Sequence, residues 1–394
     1  CMANVYKNGT NSTIGTQFNT YEYKRKALIE TAKVEYFGQL GDVESLTKNY
    51  GQKIKKYHYL PLLDDRNIND QGLDVTGAVI VNGNLYGSSK DPGVISGKLP
   101  ALSEAGGRVN RVGFKRLEIE GEIAQYGFFY EWSEEALNFD TDADLYSHIN
   151  RESVRGAREV SEDILQMDLL DAAGVVKFMG ASAVSLATVA DVITYNDLVK
   201  LGVTLDDNRC PKDTKAIKGS QDTDVINIGS ARYAFIGSEL IPTLMRLTDY
   251  HGDKAFVPVE KYAKIENGKY MNTLHGEIGS VAGFRFVVVP EMMQYKGQGV
   301  AIASAVSGST LLSNGTKIDV YPILVVGSGS FAKINFQSSG TTNDKFKIIV
   351  RKPGTFANPE DPFEKIGYSS IQFWQGTMIL RPEWIAKVLT AAKA

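Results

Sequence analysis

Apolar residues in this chain recur at two different periods, and the changes between them mark most of its elements. From Tyr21 to Leu40 they fall at Ala27, Leu28, Val34, Phe37 and Leu40, near helical spacing, supported by the i,i+4 pairs Glu22/Lys26 and Lys26/Glu30. The longest helix is predicted over 140–172. There Ile149, Ala157, Val160, Ile164 and Met167 recur with a polar Ser153 between, Asp140, Asp142 and Asp144 cluster at the start, and Gly174 stands where a C-cap would end it. Such a helix is about 45–50 Å long at 1.5 Å per residue, a long strut for a two-layer domain. Shorter helices are predicted at 191–201, at 238–248 with Pro242 in its first turn, and at 382–392.

Period-two alternation predicts strands. Residues 53–63 form one, and 114–132 form a second extended segment in which Leu117, Ile119 and Ile123 alternate with polar residues. Between them, residues 64–113 are rich in glycine and turn residues and have little periodicity. A compact domain rarely tolerates so long an excursion, so it is expected to pack on something outside its own chain. Short strands at 225–229, 233–236, 283–289, 300–305, 320–326 and 331–336, mixed with helices, predict a separate α/β or α+β module over 185–345. Residues 346–351 and 366–381 return as extended chain. Residues 1–20 are polar and read as a flexible arm.

Composition narrows the class. The 394 residues suit two to three domains, and 17 Phe, 19 Tyr and 3 Trp exclude disorder as the main state. The net charge of −3 lacks the basic excess of a dedicated nucleic-acid reader, although nine basic against five acidic residues up to position 60 leave a mildly basic arm on an acidic body. Two cysteines, Cys1 and Cys210, exclude a disulfide scaffold. No apolar run reaches a membrane span; the best, 175–192, is broken by Lys177, Gly180 and Asp191. Met2 to Lys7 lack the charged-then-apolar layout of a secretory signal. A soluble, intracellular, thiol-poor protein is expected.

The motifs that imitate chemistry each lack a part. Ile323 to Ala332 runs from an apolar strand into Gly327-Ser-Gly329-Ser-Phe-Ala332, but the next residues alternate as a strand where a dinucleotide site needs a helix. A glycine-rich hairpin is expected instead. Gly93 to Leu99 resembles a phosphate loop one residue short, with Leu99 where a hydroxyl must bind magnesium. Asp140, Asp142 and Asp144 begin like a calcium loop, but Leu145 and Arg151 fill its glycine and glutamate positions. His58, His148, His251 and His275 are dispersed, no Gly-x-Ser-x-Gly elbow occurs, and Cys210 has no neighbouring histidine. Asn8 and Asn314 head glycosylation sequons without a secretory signal. No catalytic, cofactor-binding or metal site is expected.

Gly276-Glu-Ile-Gly279-Ser-Val-Ala-Gly283-Phe-Arg-Phe-Val-Val-Val-Pro290-Glu-Met resembles a segment that recurs in major capsid proteins of tailed phages of the schitovirus (N4-like) kind. Asp361-Pro-Phe-Glu-Lys-Ile-Gly367 through Trp374-Gln-Gly376 is similar to that family's C-terminal pattern, with Gln372 at a usually basic position. Gly51 to Leu62 and Glu118 to Phe129 resemble the flanks of the family's extended loop. The resemblance covers about residues 20–394. It implies an α+β fold, the tailed-phage capsid fold of Hong Kong 97 type. Its parts would be an N-terminal arm and helix (1–50), an extended E-loop (51–125), a P-domain with its spine helix (126–185), an A-domain (186–345) and a return to the P-domain (346–394).

The function so implied is structural, without enzyme activity. Copies assemble as hexamers and pentamers into an icosahedral virion shell around double-stranded DNA, formed in the host cytoplasm. Portal and scaffolding proteins are the partners the resemblance implies, with a decoration protein as an optional one; contact with the packaged DNA would be non-specific, and no membrane would be involved. Arm and loop would bury Leu60, Leu62, Leu63, Val79, Ile80 and Val81 on neighbours. The rival readings are an encapsulin-type compartment and a nucleotide-dependent enzyme using Gly327 and Gly329.

Overall fold

The computed structural model describes residues 36–47, 51–59, 116–139, 145–217, 225–229, 232–263, 265–266, 269–270, 273–305, 310–337, 346–354 and 361–393. The chain enters through a 3-10 turn at Phe37–Gln39 into strands β1 (Asp42–Thr47) and β2 (Lys53–Tyr59). Past the excursion come β3 (Arg116–Glu122), β4 (Ala124–Ser133), a short helix α1 (Glu134–Phe139) and the long helix α2 (Leu145–Asp171). The middle of the chain holds β5 (Val175–Phe178), α3 (Tyr195–Asp207), β6 (Thr214–Ile217), β7 (Val225–Ile228), β8 (Arg232–Ile236) and α4 (Ile241–Met245). Then follow β9 (Val257–Pro258), β10 (Ile265–Glu266), β11 (Lys269–Tyr270), β12 (Glu277–Val281) and β13 (Phe284–Val288). The last third is β14 (Tyr321–Val326), β15 (Phe331–Gln337), β16 (Phe346–Arg351), β17 (Ile366–Ile379) and β18 (Ile385–Thr390).

Two larger sheets organise these strands. A mixed seven-stranded sheet has the order β5-β18-β14-β8-β13-β12-β9. Its central strands are largely apolar and buried along their whole length, Tyr-Pro-Ile-Leu-Val-Val in β14 and, after the ion-paired Arg232, Tyr-Ala-Phe-Ile in β8. That pattern belongs to strands covered on both faces. Alternate residues separate into two cores. Ala234, Ile236, Phe284, Phe286, Ile323 and Val325 pack on Leu198, Leu201 and Leu205 of α3. Tyr233, Phe235, Val287, Leu324 and Val326 pack on Leu165 and Leu169 of α2 and on Phe37.

The second sheet has the order β1-β15-β17-β16, with β4 on the opposite edge of β17. β17 is the organiser: Tyr368 to Phe373 pair with β16 on one side and with β4 on the other, and Gly376 to Ile379 pair with β15. The N-terminal half of α2 lies on this sheet, where Val154 and Ala157 meet Ile371 and Phe373. At 27 residues, α2 is about 40 Å long and crosses from one sheet to the other. Three two-stranded ribbons, β2–β3, β6–β7 and β10–β11, complete the described residues.

Several local expectations change. Residues 382–392 are not a helix: a 3-10 turn at Pro382–Trp384 leads into β18, which lies between β5 and β14 and is buried almost throughout. A short apolar run fits either period, and the central place in a sheet decides it. Residues 300–305 form a 3-10 turn at Ile302–Ser304 instead of a strand. The 114–132 segment divides at buried Ile123, where the chain leaves its pairing with β2 for β17. The 191–201 helix runs later, at Tyr195–Asp207, because Thr194 and Asp197 form a capping box. Gly174 is not a left-handed cap; its N–H donates to the Pro382 carbonyl at 2.9 Å, and a Cβ there would meet that oxygen at 2.6 Å. The Gly327-Ser-Gly329 turn is not a hairpin either, since β14 and β15 belong to different sheets. Of the 21–40 helix, the described part, 36–40, is the 3-10 turn. Residues 1–35, 64–113 and 140–144 lie outside the described residues, and with them the arm, the Gly93–Leu99 loop and the three aspartates.

Candidate functional site

The root of the excursion is the antiparallel β2–β3 pair. Period two puts Lys53 and Lys55 on one face opposite Glu122 and Glu120. Lys55 Nζ lies 2.7 Å from Glu120 and 3.4 Å from Glu118, and Lys53 Nζ lies 3.4 Å from Glu122. The hydrogen bond between Lys55 and Glu120 raises the lysine pKa and lowers that of the acid. Ile54 and Ile119, on the opposite face, pack against Leu46, Ile123, Ile334 and Met378. The apolar face seats the ribbon, and the charged ladder fixes its register on the solvent side. Lys56, behind it, pairs with Glu44. A cleft of about 440 Å³ lies beside this root, lined by Lys56, His58, Gly329, Arg381 and Trp384 among others. Burial and then the Arg381 charge hold the His58 pKa below its usual value.

Where the chain enters the body, its backbone is tied to α2. The Glu162 carboxylate accepts from the N–H groups of Tyr36, Phe37 and Gly38 at 3.2, 2.9 and 3.4 Å, and Lys333 Nζ lies 3.1 Å from its other oxygen. Three consecutive N–H groups converging on one carboxylate make the positive end of the 3-10 turn its counter-charge. The Phe37 ring lies 4.7 Å from that of Phe235 and is buried.

The third feature is the face of the β4–β17–β16 sheet turned away from α2. Directly opposed residues of paired strands share a face. Phe129, Ser370 and Ile349 therefore form one outward row, flanked by Glu131, Tyr368 and Arg351. Phe129 is 65% exposed and Ile349 41% exposed. These geometries describe surfaces and tethers, not a reaction centre. Among the described residues no group of three or more His, Cys, Asp or Glu side chains could hold a metal ion, and no helix is long and apolar enough to cross a membrane.

Comparison with known proteins gives these surfaces a context. The family model described as phage capsid protein matches residues 117–388. The major capsid protein of Pseudomonas phage KPP21 is 48% identical over 387 residues, covering 98% of this chain and 96% of that protein. The chain belongs to the phage capsid protein family. Solved capsids share the fold at low identity. That of Ralstonia phage GP4 is 8% identical over 98% of this chain and 99% of that one, with a TM-score of 0.55. The cyanophage Pam1 capsid is 12% identical over 97% and 100%, with a TM-score of 0.51. The architecture is thus the α+β tailed-phage capsid fold, and the capsid protein is structural rather than enzymatic.

The segments that suggested this family have clear places in the capsid protein. Gly276 to Met292 is the β12–β13 hairpin and its exit. Its Glu277 is buried and accepts from Tyr262 Oη at 2.7 Å, Leu274 N at 2.9 Å and Tyr233 Oη at 3.4 Å, with Arg285 3.5 Å away. In the second segment Asp361 accepts from the backbone N–H groups of Lys365 and Ile366 at 3.1 and 2.8 Å and so starts β17. Gln372 accepts from Gln125 Nε2 at 2.6 Å across the strands, a neutral contact. Sequence reasoning missed Glu162, Glu277 and the Phe129–Ile349 row. The adjacent aromatics Phe128-Phe129-Tyr130 in an alternating strand were the only sequence signal for that row.

Gly327 packs against Cys210 and the Trp384 backbone in a turn with no following helix, so the structure does not assemble a dinucleotide site there. Burial pushes the Cys210 thiol up to about 11, which keeps it protonated and unreactive near neutrality. His251 and His275 are exposed, His58 lines the cleft, and the His148 side chain lies outside the described residues.

Proposed function

We propose that the chain is a major capsid protein of the schitovirus kind, with the Hong Kong 97 variant of the fold. Its copies join as hexamers and pentamers into a closed icosahedral head around double-stranded DNA, assembled in the host cytoplasm with portal and scaffolding proteins and, in some heads, a decoration protein. The near full-length identity to the KPP21 major capsid protein carries this reading. In it, 1–50 is the N-terminal arm and helix and 51–125 the E-loop rooted on β2–β3. Residues 126–185 and 346–394 form the P-domain around α2 and β17, and 186–345 the A-domain, with β5 and β18 reaching into the A-domain sheet.

The physics is that of many modest contacts. A standard interface buries about 1,200–2,000 Å², closed symmetry repeats it in every subunit, and linked contacts gain effective concentration. The net charge of −3 suits DNA as cargo, because a strongly basic wall would hold phosphates by counterion release. DNA contact is sequence-independent and salt-sensitive. Negative-stain microscopy of the expressed protein tests the reading: closed shells support it, and a uniform population of small soluble particles overturns it. Removal of residues 1–20 or cleavage within 60–115 is expected to abolish shells while leaving soluble subunits.

A further inference from the structure

Two edges of one sheet fit each other. β4 and β16 flank β17, both antiparallel to it and therefore parallel to one another. Among the described residues neither outer edge has a strand partner. Across the outward face the rows read Glu131–Tyr368–Arg351, then Phe129–Ser370–Ile349, then Gly127–Gln372–Lys347. Farther along, Trp374 is covered by Ile119 and Ile123 at the β2–β3 root, but among the described residues no such cluster covers the rows from Gln372 to Tyr368. The β4 edge carries Glu131, and the helix after it carries Glu134 and Glu135, the latter 4.0 Å from Lys365. The β16 edge carries Lys347, Arg351 and Lys352.

We propose that these edges are the two halves of one head-to-tail contact between copies of the chain, an inference that rests on the capsid reading above. The β16 edge of one copy lies along the β4 edge of the next, with Ile349 beside Phe129 and Arg351 beside Glu131. A copy displaced sideways by the width of the sheet presents β4 in the right direction and register, so each row continues across the boundary. The halves differ, so the contact is heterologous and propagates until rotation closes a ring. The charges also select the partner. Joining the unlike edges sets Glu131 against Arg351, whereas joining like edges forms no such pair, so the unlike pairing is favoured. The contact would cover both exposed apolar side chains and pair edges that are otherwise templates for aggregation.

A double variant, Phe129→Cys with Ile349→Cys, tests the contact in assembled shells. Within one chain the two positions are two strands apart, about 9.5 Å at the usual spacing, which is beyond the roughly 7 Å Cα reach of a disulfide. A bridge between them therefore joins copies. Mild oxidation is expected to give a ladder of covalent multimers on a non-reducing gel, absent from either single variant; shells with no ladder overturn the contact. A second arm covers a variant that does not assemble. Glu131→Arg and Arg351→Glu are each expected to lower shell yield roughly tenfold, and combining them in one chain to restore it. Unimpaired single reversals overturn the contact. Absence of shells from the unaltered chain removes the capsid reading itself, whereas normal shells without ladder or charge effect remove only this contact.

Discussion

Glu162, midway along α2, accepts the backbone N–H of Phe37 at 2.9 Å, and so fixes where the N-terminal segment meets the body. The same carboxylate serves Tyr36, Gly38 and Lys333, so one side chain joins the chain entry, the long helix and β15. Glu162→Ala leaves those donors without this acceptor and is expected to cost about 2–3 kcal/mol. Lys333→Ala added to it should cost less than the sum of the two single changes, because both act on one network. Hydrogen exchange at the Phe37 and Gly38 amides is the direct check. Their protection should fall well before global unfolding, and unchanged protection would show that the turn is held by Phe37 packing alone.

The β12–β13 turn contains avoidable strain. Ala282 and Gly283 have φ of 51° and 84°, the pair of left-handed residues of a type I′ hairpin. Ala is poorly suited to the first position, and Asn is favoured there. Ala282→Asn should therefore stabilise the protein by about 0.5–1 kcal/mol. A Cβ at Gly283 would meet no atom within 4 Å, so Gly283→Ala should cost about 1–2 kcal/mol from conformation alone. Urea midpoints measure both changes. Equal midpoints for all three proteins would mean that the hairpin relaxes to another turn.

How legible the fold is from sequence depends on whether one residue pattern has a single physical explanation. α2 is legible as a helix from its steps of three and four, but its buried side is not: Val160 and Met167 of the predicted stripe are exposed, whereas Leu165 and Leu169 are buried; β14 is legible because β-branched residues lie between turn signals. The flanking strands of the excursion are legible as strands, but their pairing across residues 60–115 follows only from the shared register of Lys53 with Glu122. Ile385 to Thr390 satisfies helix and strand periods alike, and its place between β5 and β14 is tertiary information. Glu162 and Glu277 carry no local mark, since each finds its partners in distant segments. The Phe129–Ile349 row is invisible for the same reason: β17 sits between two strands that are far apart in the chain.

Glu277 gives the seven-stranded sheet a pH response with a definite sign. Burial raises its pKa above the usual glutamate value, while the Tyr262, Leu274, Arg285 and Tyr233 contacts act in the opposite direction without cancelling it. A raised native pKa means that the folded state holds the proton longer than the unfolded state. The stability this contributes is fully present below the ordinary glutamate pKa and is lost as pH rises through the raised native value. Glu277→Gln removes that component and keeps an acceptor for the tyrosines, so its cost near neutrality should be small. Glu277→Ala leaves Arg285 facing a buried gap and should cost about 3 kcal/mol or more. Urea unfolding of the three proteins across the acid range checks the sign. A wild-type curve that gains stability over the Glu277→Gln variant as pH rises through this window would overturn it.

Gly174 separates two explanations of the end of α2 by substitution alone. If it acted as a left-handed C-cap, Asn would replace it almost as well, since Asn tolerates that conformation. Its φ is not in the left-handed range, and its role is to let the end of α2 approach the Pro382–Glu383 backbone. Any Cβ at this position meets the Pro382 oxygen at 2.6 Å, and a backbone atom cannot rotate away as a side chain can. Gly174→Ala and Gly174→Asn should therefore be about equally destabilising, each by roughly 1–3 kcal/mol, the range for overpacking in a close-packed interior. Thermal unfolding of the pair decides between the explanations. Near-native stability of Gly174→Asn beside a damaged Gly174→Ala would restore the capping explanation, whereas parallel losses place the constraint in the contact between the end of α2 and the turn that begins β18.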